Sequence, residues 1–264
     1  MLASLLQKLR EPDPSSDQKV VFIHIPKTGG TTFRMVLRKL YPNSFNRCQN
    51  PSFNEVLKDL ERFQCTEFHV AKAGSKSFYT HKDIIQKPNW RYLEDKHIFV
   101  MFRNPVNRVV SSYFEKLRRS DQRHSPELLK KYVSIDGVHN LQTGFLIGMH
   151  PSSRKFPERS DLKFAKQLLQ SLKINVGIME HYDESLHLLE FVTGKQISDR
   201  NVRVENVTDN TLRAEVDDAT RDMIQQKNLL DQELYEYAVD LFEKQLQNSP
   251  ARKAKRFVYE FPKA

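Results

Sequence analysis

The apolar positions of the chain fall into short blocks separated by charged stretches, and the spacing inside each block predicts its element. Residues 20–25 (VVFIHI) are a largely apolar, β-branched run closed by Pro26, which suits a strand buried on both faces of a parallel sheet. Just beyond, Phe33, Val36, Leu37 and Leu40 recur at the helical period, while Arg34 and Arg38 fall on the opposite side and are expected to face water. Strand, glycine turn and helix together open a βαβ unit. A helix over 53–63 and a strand over 67–71 follow. The strongest later strand, 97–102 (HIFVMF), runs straight into a helix over 104–119. On a wheel of about 100° per residue, Val106, Val109, Val110, Tyr113 and Leu117 form one stripe of that helix; Asn104, Arg108, Ser111 and Glu115 form a second, continuously polar one. Further helices are predicted over 126–132, 139–147, 161–172, 182–192 and 229–246, with a strand over 174–179. Strands alternating with helices predict an α/β fold, a parallel sheet flanked by helices on both faces.

No internal repeat is visible, and no linker divides the chain after Val20, so one domain is expected over residues 20–250. Residues 1–19, with their EPDPSSD stretch, read as a flexible lead-in. The tail, 251–264, carries Arg252, Lys253, Lys255 and Arg256. It is expected to pack Phe257 and Tyr259 on the body rather than to act as a nucleic-acid arm.

Composition narrows the class. A chain of 264 residues with 39% hydrophobic and 28% charged positions, 8 Gly and 12 Pro is neither collagen-like nor low-complexity, and it is long enough to bury a core unaided. Lys plus Arg exceed Asp plus Glu by 42 to 33, and the net charge of +9 favours an anionic ligand without choosing among nucleotide, nucleic acid, acidic glycan and membrane surface. Cys48 and Cys65 are too few for a disulfide framework, lie in no zinc-binding spacing and are expected to be reduced thiols. No apolar run is long enough to span a membrane, and Gln7, Lys8 and Arg10 interrupt the place where a signal peptide needs its apolar stretch. A soluble, cytoplasmic protein is expected; a trimmed chain that has lost a Golgi-type anchor would look the same.

The chemistry concentrates in IPKTGGTTF, residues 25–33. Gly29 and Gly30 permit a tight turn and close backbone approach, and the helix that follows offers N–H groups and its positive dipole end. Thr31 and Thr32 add hydroxyl donors, and Lys27 supplies a point charge on a flexible stem. This is a cradle for phosphate or sulfate. The ATP-binding pattern G-x-x-x-x-G-K-[ST] does not match, because here the lysine precedes the glycines. The strand that might supply a magnesium ligand ends in Arg103 rather than Asp. Transfer without a metal suits a group less charged than phosphoryl, such as sulfuryl.

On these residues the chain resembles the sulfotransferase superfamily, which uses 3′-phosphoadenosine 5′-phosphosulfate (PAPS) and has a P-loop NTPase-like fold. IPKTGGTTF resembles that family's 5′-phosphosulfate loop, and FRNPVNRVVSSYF (102–114) its 3′-phosphate motif. HNLQTGFLIG (139–148) and VGIMEHYDESLHLLE (176–190) are similar to stretches of the carbohydrate group related to the heparan sulfate 2-O- and 6-O-sulfotransferases. The resemblance spans about residues 20–210. It implies that Lys27, Thr28, Gly29, Gly30, Thr31 and Thr32 bind the 5′-phosphosulfate, that Arg103 and Ser111 bind the 3′-phosphate, and that Arg203 and Asn206 in RVENVTDN lie near the adenine. It implies no metal. Where the family commonly has Arg in HNLQTGFLIG, this chain has Gly144.

A base is needed for the acceptor hydroxyl, and histidine is the natural choice near neutral pH. His69, in EFHVA, lies at a position resembling the Gly-His of related enzymes, with Phe68 in place of the Gly. His24 reads as structural; His81, His124, His139 and Glu180 are the alternatives. The expected partner is a hydroxyl acceptor, a glycan or acidic saccharide, held by residues such as Lys72, Lys76, Arg118, Arg119 and Arg123. The competing readings are a nucleotide or sugar kinase with an atypical P-loop and a non-catalytic glycan or nucleic-acid binder. The sequence leaves the acceptor's identity and the oligomeric state open.

Overall fold

The computed structural model describes residues 18–49, 52–73, 76–79, 81–120, 122–135, 139–149, 156–198, 201–203, 216–249 and 257–260; of these, the segments 70–73, 76–79, 201–203 and 259–260 are described by backbone alone. In chain order β1 (Val20–Ile23) leads through a loop to α1 (Gly30–Leu40), followed by β2 (Phe45–Cys48), α2 (Phe53–Arg62) and β3 (Cys65–Phe68). A small antiparallel hairpin, β4 (Val70–Ala73) and β5 (Lys76–Tyr79), precedes β6 (His97–Phe102). Then come α3 (Pro105–Arg118), α4 (Pro126–Val133), α5 (Leu141–Leu146), α6 (Arg159–Ser171), β7 (Asn175–Ile178) and α7 (Tyr182–Thr193). The chain closes with β8 (Asn201–Arg203), α8 (Asp218–Lys227), α9 (Leu229–Gln247) and β9 (Val258–Glu260).

The main sheet has five strands in the order β2-β3-β1-β6-β7, all parallel. Its central strand explains the unbroken apolar run in the sequence. Val21 and Ile23 point into one core, shared with Val56 and Leu60 of α2, Leu168 of α6 and Leu234 of α9. Val20 and Phe22 point into the other, shared with Phe33 and Leu37 of α1 and Leu186 of α7. A strand buried on both faces has no polar register to keep, so alternation disappears.

Local signals start the helices where expected. Ser52, Asn104, Ser125 and Asp217 each cap a helix by accepting from a backbone N–H three residues on. Pro105 and Pro126 stand in the first turns of α3 and α4.

The structure departs from the pattern in two informative places. The strand expected over 67–71 ends at Phe68, because its neighbour β1 ends at Ile23 and leaves for the loop; the last rung is His24 N–H to Phe68 O at 2.9 Å. The residues beyond His69 pair instead in the β4–β5 hairpin. Several elements were also unannounced, among them β2, whose FNRC carries little apolar pattern, and the largely polar α8. In the tail, Phe257 is buried against the His187 ring at 4.8 Å, and β9 pairs with β8, as expected of a segment packed on the body. Among the described residues no helix is long and apolar enough to cross a membrane.

Candidate active site

The carboxyl ends of β1, β3, β6 and β7 lie along one rim of the sheet, where the chain leaves in different directions and ligands bind in open α/β folds. The loop after β1 is the tightest feature there. Lys27 (φ 70°) and Gly29 (φ 82°) both take left-handed backbone conformations. The Thr28 hydroxyl donates to the Ile25 carbonyl at 2.9 Å and closes the turn. Thr28 is fully buried, and its hydroxyl acts as a strut of the loop. A Cβ on Gly29 would lie 2.2 Å from Met179 Sδ, and one on Gly30 2.1 Å from the His24 ring. Both glycines therefore answer to packing inside the protein as well as to any ligand.

α1 begins at Gly30 with no side-chain cap and no acidic residue in its first turn. An uncapped start leaves backbone donors and the positive dipole end directed at the rim. Thr31 is half-buried there, and Thr32 is 5% exposed.

Two cations approach the loop from the β6 side. Lys27 Nζ lies 3.4 Å from Glu115 Oε2, and Glu115 is shared with Arg118 and Arg119. Arg103 leaves the end of β6 and donates from Nη1 to the Lys27 carbonyl at 3.2 Å. Its backbone is clasped by Gln142, which accepts from the Arg103 N–H at 3.0 Å and donates to its carbonyl at 2.9 Å. Behind Gln142, Asp231 accepts from the Gln142 and Thr143 backbone N–H groups and from the Thr143 hydroxyl, at 2.8–3.0 Å. Burial pushes the Asp231 carboxyl up, opposed by the nearby Arg108 charge. The polar stripe read from α3 does face this interior: Arg108 is fully buried, Ser111 is 2% exposed, and Glu115 meets Lys27 one turn further on.

The histidines sort clearly. His69 follows β3, is half-buried, and its Nδ1–H donates to the His24 carbonyl at 3.2 Å, which places the lone pair on Nε2. Its ring stacks on His24 with centroids 4.4 Å apart. Burial, then the neighbouring His24 and Arg47, push its pKa down to about 2. His24 is more than a strand residue, because it stands just past the end of β1, touches Gly30, and bonds through Nδ1 to Glu67 Oε1 at 2.5 Å. Burial lowers the His24 pKa despite that carboxylate. Glu67, fully buried in β3, escaped the sequence reading; a lone Glu inside the apolar CTEFHV run was its signal.

The alternatives to His69 are committed elsewhere. Glu180 accepts from Asn104 N–H at 3.1 Å, from the Asn107 amide and from the Tyr235 hydroxyl at 3.1 Å. His81 is fully buried and bonded to the Phe145 carbonyl, with its pKa lowered to about 4 by burial. His124 meets the Tyr113 hydroxyl at 3.0 Å, and His139 the Val133 carbonyl at 2.6 Å.

Of the expected glycan contacts, Arg118 and Arg119 are engaged by Glu115, and Arg123 is exposed. Lys72, Lys76 and Arg203 are described by backbone only, and Asn206 lies outside the described residues.

Comparison with known proteins adds one match. A family model described as "Sulfotransferase family" matches residues 13–238. No curated protein matches the sequence.

Proposed function

The chain belongs to the sulfotransferase family and is an enzyme of sulfuryl transfer; from that premise we propose that its donor is PAPS, its acceptor a carbohydrate hydroxyl and its base His69, all within one domain over residues 20–250. The observation that carries this reading is the meeting of the Lys27 loop with Arg103 at the ends of adjacent strands, 3.2 Å apart. The donor set suits a nucleotide with anions at both ends. The start of α1, Thr31, Thr32 and Lys27 face the 5′ end, with Thr28 contributing through its backbone alone; Arg103 and Ser111 face the 3′-phosphate. Arg203 and Asn206 stand as adenine contacts on the strength of the resemblance. The two free cysteines suit a reducing, cytoplasmic setting.

When bound, PAPS supplies a sulfuryl group whose bond to the phosphate oxygen breaks as the bond to the acceptor oxygen forms. Lys27 neutralises the charge that grows on the departing phosphate oxygen. Its partner Glu115 is already shared with Arg118 and Arg119. His69 receives the hydroxyl proton at Nε2, the nitrogen left by its Nδ1–H bond to His24.

The depressed pKa changes the expected pH profile. A histidine at its ordinary pKa would give a rate rising through about pH 6.5; His69, held down at about 2, is neutral throughout, so kcat should be flat from about pH 5 to 8 as far as this group is concerned. Low basicity also limits its contribution, so His69→Ala should lower kcat by about 10²-fold, the lower end for general bases, with PAP affinity nearly unchanged. The check is kcat with PAPS and a saccharide acceptor, alongside PAP calorimetry. Near wild-type turnover in the variant would remove His69 as the base. A melting temperature raised by ATP with magnesium but not by PAP would replace the donor.

A further inference from the structure

A second basic feature lies on the other side of β1 from Arg103. Arg34 and Arg38 of α1, Pro42, and Phe45 and Arg47 of β2 line one open cleft of about 360 Å³. The periodicity of α1 predicts both arginines to face water, yet Arg34 turns inward, with Nη1 3.7 Å from Glu67 Oε1. Arg47 reaches the same carboxylate from the sheet edge, Nε to Oε2 at 3.7 Å. Arg38 is exposed and has no carboxylate partner among the described residues. Two permanently charged guanidinium groups thus meet one carboxylate, which is also bonded to His24, and a third lines the same cleft.

We propose that this cleft is a subsite for an anionic substituent, a sulfate ester or carboxylate, on the saccharide acceptor. The inference rests on the reading of the protein as a saccharide sulfotransferase and deepens it. Position argues for the acceptor rather than the donor. In the strand order β2-β3-β1-β6, the residues assigned to the 3′-phosphate sit at β6, whereas the cleft lies between α1 and β2, at the other edge of the sheet. The contact chain is short: Arg34 and Arg47 to Glu67, Glu67 to His24, and His24 stacked on His69. The electrostatics agree, since both arginines disfavour a proton on His24 and on His69. Guanidinium is the matching chemistry, because its planar fork meets carboxylate or sulfate oxygens in pairs.

The test measures binding directly, without turnover. Sulfated maltotetraose and maltotetraose are titrated by calorimetry into the wild type, Arg38→Ala and Arg47→Gln, with PAP titrated in parallel. The wild type should bind the sulfated sugar at least tenfold more tightly than the neutral one. Arg38→Ala should remove about tenfold of that preference, the low end for one charge-assisted hydrogen bond, while leaving neutral-sugar and PAP affinity within twofold. Arg38 is exposed and has no ion-pair partner among the described residues, so its removal does not threaten the fold. Arg47→Gln should act in the same direction. Equal affinity of the wild type for the two sugars, or an unchanged preference in Arg38→Ala, overturns the subsite. A parallel loss of PAP affinity reassigns the cleft to the nucleotide. If PAP fails to bind the wild type at all, the donor assignment falls instead, and the sugar titrations still report on the cleft.

Discussion

The two cations that converge on the loop are held in opposite ways. Lys27 rests on a carboxylate that Arg118 and Arg119 already share, near the surface. Arg103 is 6% exposed, with its backbone clasped by Gln142, and Gln142 and its neighbour Thr143 are held in turn by Asp231 of α9. Lys27 sits on a long stem beside a shared carboxylate, whereas Arg103 is fixed at its backbone by a buried clasp. A flexible cation suits charge that appears only in the transition state, and a fixed one suits charge already present in the ground state.

The largest test of this contrast is the pair of alanine variants. Lys27→Ala should lower kcat by about 10²–10³-fold, the usual loss when one transition-state donor is removed, with PAP affinity changed by about threefold or less. Arg103→Ala should weaken PAP by about 10–100-fold, as expected for a lost charge-assisted contact, and lower kcat less. Steady-state kinetics and PAP calorimetry on both variants decide it. An equal loss of PAP affinity in each, with turnover following saturation, would abolish the division of roles.

A stability measurement probes the fixed side alone. Asp231→Ala leaves the Gln142 and Thr143 donors and the fully buried Arg108 without their carboxylate. Breaking such a buried network costs about 3–5 kcal/mol, so the melting temperature should fall by about 6–20 °C for a domain of this size. PAP should also bind more weakly, because Arg103 loses its support, while kcat at saturation changes little. A shift under about 1 °C would mean that Arg103 is held by other means.

The smallest effect belongs to the β1 side. His69 and His81 have folded pKa values pushed to about 2 and about 4, below the ordinary 6.5. The unfolded chain therefore takes up protons below pH 6.5 that the folded one refuses. The stability is fully present above pH 6.5 and is lost as pH falls from there toward about 4 for His81 and about 2 for His69. Each group contributes about 1.4 kcal/mol per pH unit in its window. Urea unfolding at pH 7, 6 and 5 should show this slope, and His69→Ala should flatten it by about one group's share. An unchanged slope in that variant would place the His69 pKa near its ordinary value and restore a pH-dependent rate.

Much of this was legible in advance where the cause is local. The turn at Gly29, the capped start of α3 and the buried run of β1 are each set by residues within a few positions, so pattern and spacing reveal them. The strand end at Phe68 was misplaced because what stops it is the departure of β1, more than 40 residues earlier in the chain. Glu67 was missed for a related reason: an acidic residue in an apolar strand is tolerable only with partners, and His24, Arg34 and Arg47 come from other elements.

The sequence by itself determined the kind of fold and the glycine turn after β1, since apolar periodicity dictates which faces are buried and IPKTGGTTF builds its turn from its own residues. Only the tertiary structure decided what each polar group is for. It spent the Thr28 hydroxyl on the turn, set the His69 tautomer through the His24 carbonyl and turned Arg34 inward to a carboxylate on another strand. The reason is physical. A backbone preference acts over one turn or one strand, whereas a buried polar group must find its partner wherever packing brings one within about 3 Å, and that partner is set by the whole chain.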